Sequence, residues 1–230
     1  KVFYRDEKQV GKRVFCSTEC RHLYDFTERY NGLERFFDID IDSVSYLVGL
    51  IFGDGCVLKS GNMTRRVSIS FDSTDIRSIE TGKKALKNLG ISPNVNSLGS
   101  VVLMTFSVPI HILQKYGVGY TGDKFKNSPY PSDDILTNIN FVSGLVNSDG
   151  YCAKRKSGGE YMQITNTVES IISAASECLS RNGFRYRLSE YNSPNPKEKI
   201  RFDLFVSGSD QVLKIRSESA FTIKASREIL

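Results

Sequence analysis

A ten-residue block occurs twice in this chain. Tyr46-Leu-Val-Gly-Leu-Ile-Phe-Gly-Asp-Gly55 returns 95 residues later as Phe141-Val-Ser-Gly-Leu-Val-Asn-Ser-Asp-Gly150. Four of the ten positions are identical, and the aromatic first, apolar second and sixth, and small eighth positions agree in type. Two copies of one segment need the same packing twice, so the chain is expected to be two similar units rather than one irregular domain. The flanks agree. Asp54 to Gly90 spans 36 residues and Asp149 to Gly183 spans 34.

Each span reads as two strands and a helix. Val67, Ile69 and Phe71 alternate with Arg66, Ser68 and Ser70, and Met162 and Ile164 alternate with Gln163 and Thr165, which is strand periodicity. Ile76–Leu89 has helical spacing and stops at Gly90, and Ser170–Leu179 stops at Asn182-Gly183. Val101–Phe106 is expected to close the first half, and Phe184–Tyr191 with Ile200–Val206 the second. A short helix follows each, near Ile110–Tyr116 and Asp210–Arg216. The expected fold class is α+β, each half running α-β-β-α-β-β-α. The expected division is an N-terminal extension over 1–43, a first half over 44–116, a linker over 117–137 and a second half over 138–230. The Gly- and Pro-containing stretch 117–132 supports the linker.

As helices, the two blocks place Gly49 and Gly53, and Gly144 and Ser148, on one face four residues apart. Small residues at this spacing admit another helix to backbone contact, and the simplest partner for each motif helix is its twin. Leu47, Leu50 and Ile51, with Val142, Leu145 and Val146, then face the two cores. Asp54 and Asp149 fall at the C-terminal helix ends, where the macrodipole disfavours a carboxylate by about 0.3–1 kcal/mol and the twin acid adds repulsion. Divalent cations between them remove both penalties, and hard oxygen donors, including the helix-end carbonyls of Gly53 and Ser148, suit Mg²⁺. Carboxylates sharing metals beside a phosphate can cleave a phosphodiester. A single Asp-Gly is an ordinary turn pair; two copies in matching register, each behind a small-residue face, ask for more.

These residues resemble the LAGLIDADG homing endonucleases. The segments 47–55 and 142–150 look like the two motif copies of a single-chain member, and the resemblance covers about residues 44–216. It implies a saddle of antiparallel strands over double-stranded DNA and a double-strand break leaving short 3′ overhangs, made by a monomer in the course of intron or intein homing. It assigns catalysis and the binding of two or three shared Mg²⁺ ions to Asp54 and Asp149. Members often add a Gln, Asn or Lys near each acid. Asn166 fits this in the second half, with Gln163 nearby, whereas the first half has Ser70-Phe71-Asp72 at the corresponding strand end. A non-cleaving intron RNA maturase or DNA-binding regulator on the same scaffold is the alternative.

The expected DNA-contacting set is Lys59, Arg65, Arg66, Ser68 and Ser70 in the first half, and Lys154, Lys156, Gln163, Thr165, Arg185, Arg187, Arg201 and Asp203 in the second. A β-surface can enter the major groove and read bases with Arg and Gln. The net charge of +5 is −1 over residues 1–43, with 8 basic against 9 acidic side chains, and an even +3 on each later stretch, with 10 against 7 over 44–137 and 13 against 10 over 138–230. Cys16 and Cys20, a Cys-x₃-Cys pair beside His22, are expected as half of a zinc site. Five scattered cysteines do not form a disulfide framework and suit an intracellular protein. The longest apolar run, Tyr46–Phe52, is far short of a bilayer span. There is no P-loop or dinucleotide fingerprint, and two histidines give little support to His-based hydrolysis.

Overall fold

A computed structural model describes residues 2–3, 14–15, 32–60, 64–119, 130–156, 158–195, 199–224 and 226–228. A two-residue antiparallel pair, β1 (Val2–Phe3) and β2 (Val14–Phe15), and helix α1 (Leu33–Ile39) precede the repeat. The first half then runs α2 (Ile41–Phe52), β3 (Gly55–Ser60), β4 (Thr64–Asp72), α3 (Ile76–Asn88), β5 (Asn94–Leu98), β6 (Val101–Pro109) and α4 (Ile110–Lys115). A one-turn helix α5 (Asp133–Leu136) leads into the second: α6 (Asn140–Asp149), β7 (Gly150–Lys154), β8 (Glu160–Asn166), α7 (Glu169–Arg181), β9 (Arg187–Tyr191), β10 (Arg201–Ser207) and α8 (Ser209–Glu218). A last strand, β11 (Ser226–Glu228), follows.

The order α-β-β-α-β-β-α therefore occurs twice, and the sheets repeat as well. The first sheet is ordered β3-β4-β6-β5, and the second β7-β8-β10-β9, with β11 added in parallel beside β7. Register carries the 95-residue offset onto the strands: Gly55 pairs with Ile69 as Gly150 pairs with Ile164. One expected boundary shifts, and one strand has no range in the sequence. β9 begins at Arg187 rather than Phe184, because Phe184 is buried and its N–H closes the end of α7 on the Leu179 carbonyl. β5 is fully exposed along its length, so no alternation marks it.

Period-2 burial makes each sheet two-faced. Val67, Ile69 and Phe71 point inward with Ile79 and Leu86 of α3, while Arg66 and Ser70 are exposed on the other side. The motif helices have no outer face, since residues 43–52 and 140–147 are all buried. Gly49 and Gly144 are the reason they lie so close. A Cβ on Gly49 would stand 2.2 Å from the Phe141 carbonyl oxygen, and one on Gly144 would stand 2.2 Å from that of Tyr46. One turn later, a Cβ on Gly53 would stand 2.0 Å from the Ser148 Oγ. The same pairing at successive turns means that α2 and α6 run side by side in the same direction, related by a pseudo-twofold axis. Asp40 caps α2, accepting from the Ser43 N–H at 3.0 Å, and Asp42 joins the halves at this end by accepting from Asn138 and Asn140 at 2.7 and 3.0 Å.

The segment after α8 straps the halves together. Asn140 and Asn147, seven residues apart on one face of α6, hold it: Asn140 accepts from the Ala220 N–H at 2.9 Å, and Asn147 donates to the Thr222 carbonyl at 2.8 Å and accepts from the Lys224 N–H at 2.9 Å. Phe221 stacks on Tyr46 of the first half, centroids 4.5 Å apart. No helix among the described residues is long and apolar enough to cross a membrane.

Cys152 and Cys178 are buried free thiols, and Cys56 is a half-buried one. Burial pushes the Cys152 thiol up and the Cys178 thiol to about 12. Alkylation of the native protein near pH 8 should therefore modify Cys56 and spare Cys152 and Cys178 until the chain unfolds. Peptide mass mapping reads this, and early labelling of Cys178 would contradict its burial. The raised Cys178 pKa gives stability that is whole below the ordinary thiol value and is lost as pH climbs toward 12.

Candidate metal centre and nucleic-acid interface

The two motif acids emerge at the same end of the helix pair. α6 ends on Asp149, while α2 ends two residues earlier in the repeat, at Phe52, leaving Gly53 and Asp54 in a turn. Gly53 lies against the other motif: besides Ser148, a Cβ built on it would be 3.4 Å from the Asp149 Cγ. Gly53 and Ser148, expected as carbonyl donors, are thus at the junction. The Ser148 hydroxyl turns back into its own helix to the Gly144 and Leu145 carbonyls, both at 3.1 Å.

Beyond the acids the halves diverge. The Asn166 amide nitrogen donates to the Asp149 Oδ2, and its Oδ1 accepts from the Val168 N–H at 2.8 Å, which fixes the direction of the amide. Register places Phe71 at the matching position of β4, since Phe71 pairs with Val102 as Asn166 pairs with Phe202. Phe71 is 4% exposed and packs in the first core. Asp54 thus has no amide where Asp149 has one, and it is exposed while Asp149 is half-buried.

A cation not expected from the sequence stands behind the second motif. Lys224 Nζ donates to the Ser148 carbonyl at 3.2 Å and lies 3.4 Å from that of Gly150, with Asp75 Oδ2 3.6 Å away. A positive charge at the C-terminal end of α6 complements the negative end of its dipole. Lys224 sits in an aperiodic tail, so no spacing argument reaches it. Among the described residues no three His, Cys, Asp or Glu side chains cluster as a metal site by themselves. The donors at the junction are two carboxylates and helix-end carbonyls, hard oxygens that fit a divalent cation whose coordination other oxygens complete.

The sheet faces away from the helices carry most of the expected contact residues. On the second sheet, register aligns Thr165 with Asp203 and Ser189, and Gln163 with Phe205 and Arg187. Gln163, Thr165 and Asp203 form a closed network here. The Asp203 carboxylate, 3% exposed, accepts from Gln163 Nε2 at 3.0 Å and from Thr165 Oγ1 at 2.6 Å. The Gln163 Oε1 accepts from the Tyr151 hydroxyl. Burial first, and then the Tyr161 hydroxyl, push Tyr151 up to about 12, so it remains a donor at neutral pH. Arg201 caps this network, its Nε 3.3 Å from Asp203 Oδ2. Arg187 is exposed on this face; Arg185 and Lys156 are exposed but lie outside the strands, and Lys154, in register with Glu160 beside the buried Cys152 and Met162, falls on the opposite face from the one expected. On the first sheet Arg66 and Ser70 are exposed and Ser68 is half-buried. Lys59 and Arg65 are backbone partners in the β3–β4 pair. Cys16 and Cys20 lie outside the described residues.

A LAGLIDADG-like domain family matches residues 137–220. The fold is similar to that of the N-terminal LAGLIDADG domain of DUF199/WhiA, with a TM-score of 0.51 at 14% identity over 80% of this chain and 83% of that one. It is also similar to the homing endonuclease I-DmoI, solved in complex with DNA and Mn, with a TM-score of 0.48 at 16% identity over 79% and 98% of the two chains. A mutant of I-SmaMI gives a TM-score of 0.47 at 11% identity over 77% and 85%.

Proposed function

We propose, from the premise that this chain is a LAGLIDADG protein, that it is a site-specific DNA endonuclease acting as a monomer inside the cell, making a divalent-metal-dependent double-strand break in a long asymmetric target. The observation that carries this reading is the meeting of the two motif ends, with Asp149 held by Asn166 against the turn that bears Asp54. Structural packing alone asks for no acid at either helix end. Asp54, Asp149 and the Gly53 carbonyl would hold Mg²⁺, the Ser148 carbonyl being taken by the Lys224 ammonium, and Asn166 orients the Asp149 carboxylate. When bound, the metal supplies polarisation of the scissile phosphate and a more acidic water. The two sheets straddle the duplex, with Arg66 on one and Arg187 and Arg201 on the other.

One observation favours a second reading. Phe71 in place of an amide leaves the Asp54 side less equipped, as suits a DNA-binding regulator or an intron RNA maturase that keeps the scaffold. The deciding experiment selects cleaved sites from a random duplex library in Mg²⁺. Recovery of one long site cut on both strands supports the endonuclease. Binding without cutting gives the regulator, and preference for intron RNA over duplex gives the maturase. Affinity for the selected duplex should fall steeply with salt, since each neutralised phosphate adds about −0.9 to the slope of log K against log[salt]. A flat salt dependence in a filter-binding titration would contradict the basic-face assignment.

A further inference from the structure

The open faces of the two sheets differ in chemistry. On the second, three guanidinium groups lie over aromatic rings: Arg187 over Phe205 at 5.5 Å, Arg201 over Tyr191 at 4.9 Å and Arg155 over Tyr161 at 5.3 Å. A ring beneath a guanidinium holds its plane while leaving the N–H edge free to donate. Arg201 is directed further, because its Nε faces Asp203 and the two terminal nitrogens remain. Among the described residues no carboxylate stands within ion-pair distance of Arg187 or Arg155. Between these two lies a concavity of about 490 Å³, floored by Tyr161 and Phe205. The first sheet presents amides and hydroxyls instead. Asn94 and Asn96 on β5 are exposed, Thr105 and Ser68 are cross-strand partners, and Arg66 is the single described arginine on that face.

Resting on the DNA-binding reading above, we infer that the second sheet is the guanine-reading half of the saddle. Arg187, Arg201 and Arg155 take guanine edges in one half-site, and the first sheet reads its half-site without them. A guanine presents O6 and N7 side by side in the major groove, and a planar guanidinium meets both at once. A fork already fixed over a ring loses less freedom on binding than a free one. Gln163, a residue type that reads adenine when its amide is free, has both ends of that amide committed to Tyr151, Thr165 and Asp203. The network therefore supports Arg201 rather than competing with it, and Phe205 acts as a positioning residue for Arg187.

The test is selection of bound sites from a randomised duplex pool by the full chain in Ca²⁺, followed by titration of the selected duplex and its single-base variants. Wild type should concentrate guanines in one half-site. Arg187→Ala and Arg201→Ala should each lose about 10-fold of discrimination at one of those guanines. Arg187→Lys should not restore it, because an ammonium lacks the fork. Arg66→Ala should leave these guanines selected. Phe205→Leu, with Arg187 intact, should reduce discrimination at the Arg187 position, which a merely structural role for the ring would not do if the melting temperature is unchanged. Guanines absent or evenly spread, or arginine variants that weaken all duplexes equally as phosphate contacts would, overturn the inference and leave DNA binding standing. No duplex selected above background would overturn the DNA-binding reading itself.

Discussion

Asp149→Asn is expected to abolish double-strand cleavage while leaving binding to the selected duplex within a few-fold of wild type. On the endonuclease reading proposed above, the carboxylate would be a metal ligand, and removing a ligand of that kind forfeits several kcal/mol of transition-state stabilisation. At about 1.4 kcal/mol per decade, that is a fall of about 10³-fold or more. The amide is nearly isosteric and can still accept from Asn166, so the helix end should hold its shape. Stability should not fall, because a charge at the negative end of a helix is removed. Asp54→Asn should behave alike in cleavage. The two sites should differ in order, however. Asn166 braces Asp149 and nothing of its kind stands at Phe71, so the strand served by Asp149 should be cut first and a nicked duplex should accumulate. Asn166→Leu should slow that strand by about 10–100-fold, the usual effect of losing a partner that orients a metal ligand. Time courses on duplexes labelled separately on each strand, in Mg²⁺ for cleavage and Ca²⁺ for binding, read all of this. Full cutting by either Asn variant would remove the acids from the chemistry. A wild type that binds its site and never cuts it would make the protein a regulator.

What the sequence disclosed, it disclosed through repetition. Gly49 and Gly144 are visible as small residues at helical spacing, and their role is clear only because each appears in the same place twice. Of the strands with one buried face, β4 and β8 carry their alternation openly. β5 does not, being an exposed edge whose residues answer to no core. The strap after α8 was equally silent. Phe221 and Lys224 find partners on both halves, yet nothing periodic connects Lys224 with Ser148 or Asp75. The open face was only partly legible. Alternation placed Gln163, Thr165 and Asp203 on the same side as Arg201, but whether polar groups meet each other or solvent depends on cross-strand register, which a single sequence does not state. Their mutual hydrogen bonds turn three expected contact residues into a support for a fourth.

Gly144→Ala should destabilise the whole molecule, whereas Gly82→Ala should stabilise it. Both glycines lie inside helices, where alanine is intrinsically better by about 1 kcal/mol. At Gly82 the added methyl would meet Met104 at 3.4 Å, Phe71 at 3.5 Å and Leu50 at 3.6 Å, ordinary contacts with side chains, so the intrinsic gain should survive at about 0.5–1 kcal/mol. At Gly144 the methyl would stand 2.2 Å from the Tyr46 carbonyl oxygen and 2.9 Å from the Leu50 nitrogen, both backbone atoms of the other motif helix. Backbone cannot rotate aside, so the helices must separate. Tyr46, Leu50, Phe141 and Leu145, all fully buried at this seam, would lose their packing together. That places the cost at or above the upper end of ordinary overpacking, about 3 kcal/mol or more, a large part of a domain's total stability. Gly49→Ala should match it, since the seam is the same seen from the other half: 2.2 Å to the Phe141 carbonyl and 2.9 Å to the Leu145 nitrogen. For a chain of this size, each kcal/mol moves the melting temperature by about 2–4 °C, so the seam variants should melt at least about 6 °C lower and Gly82→Ala slightly higher. Separating the helices also separates Gly53 from Ser148 and Asp149, so cleavage by the seam variants should fall even at temperatures where they remain folded. A Gly144→Ala protein as stable as wild type would show that α2 and α6 do not touch there, and the pairing of Asp54 with Asp149 would fall with it.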